Sequence, residues 1–83
     1  MKLFIAVYAA PTTGINLIIA TDAGASAIPA VYDTYLMEVD DLLRAYGPEI
    51  EGFHVMGPES YARKIVSELE DNYPSLSVIP IFD

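Results

Sequence analysis

The pattern of hydrophobic and polar positions is clearest in the last third of the chain, where it predicts a strand, a helix and a second strand. Mostly apolar residues fill positions 51–56 and 77–82, and Gly57 and Pro58 end the first of these runs. Residues 60–71 carry apolar side chains at the three-to-four spacing of a helix. A crossover of this length holds one helix and little else, so we expect the two strands to lie parallel, with a right-handed connection.

The first third of the chain predicts a β-hairpin. Residues 2–10 are apolar on both faces, as in a central strand, and residues 15–21 form a second apolar run. The segment between them begins with Pro11 and ends with Gly14, a composition typical of a tight turn. We therefore expect the two runs to pair as antiparallel strands.

Residues 28–46 are predicted to form the first helix, because their apolar side chains recur every three or four positions. Pro29 suits the first helical turn, and Gly47 is a strong stop signal. The second strand of the hairpin ends at one end of the sheet, whereas this helix must begin at the other end. Residues 22–27 must therefore run back along the length of the strands, as an extended segment or a short third strand.

Together these elements predict one α/β domain over residues 1–83. It contains an N-terminal β-hairpin, with a short third strand as an option, followed by an α-β-α-β order and a mixed sheet with a parallel C-terminal βαβ unit. In element order it resembles a trimmed ribonuclease H-like sheet. Nucleases of that kind need convergent carboxylates on the first strand to hold metal, whereas this strand offers Ala6, Val7 and Tyr8. We predict no catalytic residue, metal site or cofactor.

Composition favours a small cytoplasmic protein. The chain has 83 residues, of which 53% are hydrophobic, so a core can form without a disulfide or metal. It has no cysteine and no classical signal peptide. The longest weakly polar stretch, residues 15–31, is too short and too interrupted to span a membrane. We therefore expect no membrane association.

Charge is the most informative chemical feature of the chain. The net charge is −8, which disfavours direct binding to nucleic acid. In the second predicted helix the acids occupy the last turn, opposite to the preference of the helix dipole, so local stability does not explain them. A solvated surface that confers solubility is an equally weighted interpretation. The alternative is an acidic partner-binding face formed by Asp33, Glu38, Asp40, Asp41, Glu49, Glu51, Glu68, Glu70 and Asp71.

A second candidate site lies at the predicted upper rim of the sheet, where ligands of α/β proteins often bind near a helix N-terminus. Its residues are also those from which ordinary turns and helix starts are built, and Glu59 would repel an anion there. The rim consists of Thr12, Thr13, Gly14, Gly57, Ser60, Arg63 and Lys64.

The sequence also predicts where four aromatic side chains lie. Tyr61 is predicted to face the core, whereas Tyr8 and Tyr32 are candidates to reach the surface as contact anchors. His54, in the middle of a strand, is predicted to be structural.

The leading functional hypothesis is a non-enzymatic acidic module that binds a basic protein surface. Small acidic chains of this kind include inhibitors and adaptors of nucleic-acid-handling proteins, some of them encoded by viruses or phages. Two alternatives stay open. One is a small-ligand or nucleotide-binding domain that uses the rim. The other is a self-assembling structural subunit, a homo-oligomer joined through a sheet edge, although Pro80 would blunt the edge of the last strand.

Overall fold

A computed structural model describes residues 3–10, 14–21 and 24–82 of the chain. It confirms a small α/β domain with a mixed sheet. In chain order the elements are β1 (Leu3–Ala10), β2 (Gly14–Thr21), β3 (Gly24–Ala30), α1 (Tyr35–Tyr46), a single 3-10 turn (Gly47–Glu49), β4 (Ile50–Gly57), α2 (Glu59–Asn72) and β5 (Ser77–Phe82).

The five strands lie in the order β3-β2-β1-β4-β5. β2 is antiparallel to both β1 and β3, whereas β4 is parallel to both β1 and β5. β3 therefore runs in the same direction as β1, which confirms that the chain returns along the length of the sheet before the first helix. The two crossovers move in the same direction across the sheet, so right-handed connections place α1 and α2 on the same face.

The core lies between this helix layer and one face of the sheet. Strand residues of one parity point into it, and the opposite parity does not, as the alternation along β1 shows. Both helices contribute an apolar stripe at three-to-four spacing. The fully enclosed core side chains include Ile5, Val7, Ile15, Leu17, Tyr35, Val39, Phe53, Val55, Ile65 and Leu69.

The predicted start of the first helix is wrong. β3 continues to Ala30, and α1 begins only at Tyr35. Pro29, which was expected in the first helical turn, pairs with Asn16 in the sheet. A proline is acceptable there because β3 is an edge strand. Ile28 fits a strand as well as a helix because it is directed toward the core when it pairs with Leu17.

Two expectations about burial are also corrected. β1 is central, as predicted, but only one of its faces is covered, because both helices lie on the same side of the sheet. Tyr61 was expected in the core stripe of α2, yet it is 41% exposed and packs near Tyr32, in the turn that precedes α1. Both errors arise from tertiary placement, which the local hydrophobic pattern does not encode.

Gly57 is required where β4 ends. Its φ is +123°, a conformation that side chains with a Cβ rarely adopt. A Cβ at this position would lie 2.3 Å from the Ala9 carbonyl oxygen. The glycine thus lets β4 approach β1 closely before Pro58 directs the chain into α2. Within the described part of the chain, neither helix has the length and apolar character needed to cross a bilayer.

Candidate functional site

A cleft opens in the helix layer between α2 and the turn that precedes α1. It has a volume of about 350 Å³. The rings of Tyr32 and Tyr61 lie 6.5 Å apart across it, inclined at 45°. We call this feature the inter-helix cleft, and it is lined by Tyr32, Asp33, Tyr61, Lys64 and Glu68.

Two tyrosine–carboxylate hydrogen bonds fix the spacing of the helices below this cleft. The Tyr35 hydroxyl donates to Glu68 Oε1 at 3.2 Å. The Tyr73 hydroxyl donates to the carboxylate of Asp40. Burial, followed by the neighbouring Glu68 carboxylate, raises the pKa of Tyr35 well above its ordinary value. Burial and the hydrogen bond to Asp40 raise the pKa of Tyr73 in the same way. Both phenols therefore keep their protons and act as donors.

The Tyr32 hydroxyl is the unusual polar group of the cleft. Its oxygen is buried and has no hydrogen-bond partner among the described residues. Burial and the proximity of Tyr61 raise the pKa of Tyr32. A buried hydroxyl without a partner is costly. Sequence reasoning identified Tyr32 as a surface candidate but gave no sign that its hydroxyl would be orphaned, because that depends on how the two helices meet.

The nine predicted acidic-face residues lie on the helices, on the turns around α1 and at the start of β4. Glu38, Asp40 and Asp41 are on α1, and Asp33 precedes it. Glu49 is in the 3-10 turn, and Glu51 lies where the β1–β4 register shifts. Three acids lie near the end of α2, and of these Glu68 lines the inter-helix cleft: Glu68, Glu70 and Asp71.

The charged residues in the first and last turns differ between the two helices. α1 has Glu38 in its first turn and Arg44 in its last, the arrangement that the dipole favours. α2 has Glu59 in its first turn but no basic residue in its last turn, where Glu70 and Asp71 lie. The unfavourable placement predicted from sequence is therefore present in α2 and absent from α1.

The two cations of the predicted rim have different neighbours. Arg63 forms an exposed ion pair with Glu59, and its guanidinium lies 5.7 Å from the centre of the Phe82 ring. Lys64 belongs to the inter-helix cleft. The remaining rim residues comprise strand ends and the start of α2, namely Gly14, Gly57 and Ser60, while Thr12 and Thr13 lie outside the described residues.

The side of the sheet away from the helices is the largest feature that the sequence-based interpretation missed. Three alternate residues of each of the five strands face this side, and none of these fifteen is Asp, Glu, Lys or Arg. His54 lies on it, stacked on Phe4 with ring centres 4.5 Å apart. We call this surface the open face: Phe4, Ala6, Tyr8, Asn16, Ile18, Ala20, Ala25, Ala27, Pro29, Gly52, His54, Met56, Ser77, Ile79 and Ile81.

Within residues 3–10, 14–21 and 24–82, no three His, Cys, Asp or Glu side chains come together as a metal site. Comparisons with protein-family models, curated proteins and solved structures found no match. Any functional proposal must therefore come from the surfaces of this chain itself.

Proposed function

We propose that this protein is a non-enzymatic, cytoplasmic binding module whose acidic face docks on a basic protein surface. The observation that carries the proposal is the segregation of charge. The described carboxylates belong to the helices, their flanking turns and the start of β4, whereas the open face has none. A charge that served only solubility would have no reason to be absent from these fifteen neighbouring positions.

The inter-helix cleft suits a lysine or arginine side chain of the partner. Tyrosine rings attract cations through their π faces, and Tyr32 and Tyr61 frame the cleft. The carboxylates of Asp33 and Glu68 line the same space. A docked side chain would exclude water and gain cation–π and ion-pair interactions at the same point.

Among the five described residues that line the cleft, Lys64 alone opposes a cationic ligand. Its ammonium repels another positive charge, so it should tune the affinity downward rather than create it. The two kinds of substitution should therefore change the binding affinity in opposite directions. Removing the carboxylates should weaken binding, and removing Lys64 should strengthen it.

Proteins that handle nucleic acid present basic surfaces to the phosphate backbone. A compact domain with a net charge of −8 complements such a surface and would occupy it in place of DNA or RNA. We therefore propose an inhibitor or adaptor of a nucleic-acid-handling protein as the class of module.

The test uses an arginine-rich peptide of about ten residues as a probe, with Kd measured by calorimetry at about 50 mM and about 300 mM salt. We expect affinity to fall steeply with salt. We also expect Glu70→Lys to weaken binding more than Glu59→Lys, which makes the same charge change on the same helix outside the acidic face. Lys64→Ala should bind the probe more tightly than the wild type.

Equal effects of Glu70→Lys and Glu59→Lys would show that only net charge matters, and the docking proposal would then be lost. A Lys64→Ala variant with weaker or unchanged affinity would remove the inter-helix cleft from the binding surface. Each variant changes an exposed side chain, so the fold is expected to survive.

A further inference from the structure

The open face is the largest surface that the proposed function does not use. Three of its large apolar side chains are substantially exposed: Tyr8 by 39%, Ile79 by 41% and Ile81 by 46%. Burying apolar surface of this kind is worth about 25 cal/mol per Å². We propose that the open face is the contact surface of a homodimer, in which two copies pack their sheets face to face around a twofold axis.

Charge favours an uncharged contact surface, which a second copy of this face supplies. The open face has no Asp, Glu, Lys or Arg among its residues, so it offers nothing to pair with a charged partner. A molecule with a net charge of −8 repels its own copies unless their charges are kept apart. Face-to-face packing puts the two helix layers on the outside, about 30 Å apart, which is several times the Debye length of about 8 Å.

The shape of the open face is self-complementary about a twofold axis that runs along β1. β3, at one edge, presents only Ala25, Ala27 and Pro29. β5, at the other edge, presents Ile79 and Ile81. Rotation about this axis sets the β3 side of one copy against the β5 side of the other. The small residues of each copy then receive the isoleucines of its partner, as an isologous interface requires.

The area is sufficient for a specific but weak dimer. Strands lie about 4.8 Å apart and rise about 3.3 Å per residue, so the open face covers roughly 24 Å by 20 Å, or about 500 Å². Two copies would bury about 1,000 Å² in total, which is the lower limit of specific interfaces. We therefore expect association in the micromolar range or weaker.

Pairing through the sheet edges is the competing mode of self-association, and the edges are poorly suited to it. β3 contains Pro29 and β5 contains Pro80, and these are the two edge strands. Proline lacks the backbone N–H that a strand ladder needs. A face contact leaves both edges unused.

Sedimentation equilibrium from about 1 µM to about 500 µM tests the proposal, with Tyr8→Lys as the decisive variant. Tyr8 lies on the central strand, where it cannot take part in edge pairing, and next to the proposed axis. The change makes the chain less negative, so weaker association cannot result from greater net repulsion. We expect the dimer dissociation constant to rise at least about 100-fold, because two buried ammonium groups would face each other.

Met37→Lys is the matched control, since Met37 is 67% exposed on α1 and the charge change is the same. It should dimerise as well as the wild type or better. A wild type that stays monomeric at every concentration overturns the proposal and leaves the face to a different apolar partner. Unchanged dimerisation of Tyr8→Lys overturns it as well and assigns the contact to an edge.

A measurement on the wild type removes any dependence on whether Tyr8→Lys folds. The δ1-methyl NMR signals of Ile18, Ile79 and Ile81 should shift with protein concentration, because all three lie on the open face. The signal of Ile65, which belongs to α2 and is enclosed in the core, should not shift. A dimer that moves the Ile65 signal but none of the other three would contradict the assignment.

Discussion

The helix layer and the open face are two sides of one small domain, yet their chemistry is opposite. The helix layer has a dense set of carboxylates over a closed apolar core. The open face has apolar side chains in contact with water and none of the four charged residue types among its members. Soluble proteins usually alternate apolar-in and polar-out along a strand that has one covered face. Here the uncovered face departs from that rule.

If both proposed contacts form, the charged contact and the apolar contact use two separate surfaces. Most of the described carboxylates lie on the helices and the turns beside them. The uncovered side of the sheet keeps the composition of an interior, which favours a protein partner. The two proposed contacts therefore do not compete, and a face-to-face dimer would present two acidic surfaces in opposite directions.

The largest expected effect compares two neighbours on β4 that point to opposite sides. Phe53 is fully enclosed beneath the helices and packs 5.7 Å from the ring of Tyr73, whereas His54 lies on the open face. Phe53→Ala should lower the free energy of unfolding by about 3–5 kcal/mol. His54→Ala should lower it by about 1 kcal/mol or less in dilute solution. Urea denaturation measures both, and equal losses would mean that the two sides are equally buried.

A smaller effect concerns the buried phenol of the helix layer. Because burial and Glu68 raise the pKa of Tyr35 above its ordinary value near 10, the folded protein holds the phenolic proton more tightly than the unfolded chain. This stabilisation is fully present below about pH 10 and is lost as the pH rises above it, by up to about 1.4 kcal/mol per pH unit. Denaturation at several alkaline pH values should show the fall.

Tyr35→Phe provides the control for this pH dependence. The variant loses the hydrogen bond to Glu68, so it should be less stable at neutral pH. Above pH 10 its stability should fall less steeply, with Tyr73 supplying the remaining slope. An identical alkaline slope in both proteins would show that Tyr35 does not contribute to it.

The smallest effect tests whether the acids at the end of α2 serve stability. Glu70→Lys places a cation in a last turn that has no basic residue, so it should stabilise the fold by about 0.3–1 kcal/mol. Glu59→Lys makes the same change in the first turn, where it also breaks the ion pair with Arg63, and should destabilise by a similar amount. Thermal melts measure both. If Glu70→Lys is destabilising, the wild-type acid has a structural role instead.

The βαβ unit and the hairpin could be predicted from sequence, because β4, α2 and β5 are separated by strong breakers and have distinct periodicities. The boundary between β3 and α1 could not. Ile28 satisfies both the strand and the helix spacing, and Pro29 is acceptable at a helix start and in an edge strand alike. Only the register with β2 distinguishes them, and that register is a long-range property.

One of the candidate surfaces could also be proposed from sequence, whereas the others could not. The acidic face followed from composition and the helix dipole, both visible in the sequence. The orphaned hydroxyl of Tyr32 and the open face depend on which side of the sheet the helices cover. The helices cover one side because both crossovers run in the same direction across the sheet. The apolar strand sequences alone suggested that both sides were buried.

The central position of β1 sets the order in which the protein can fold during synthesis. β1 is followed directly by its antiparallel partner β2, but its parallel partner β4 begins only at Ile50, after α1. Pairings between residues so distant in sequence form slowly, because the intervening loop must close first. We therefore expect β1 to pair with β2 before β4 is available, which leaves apolar side chains of these strands uncovered until β4 has paired.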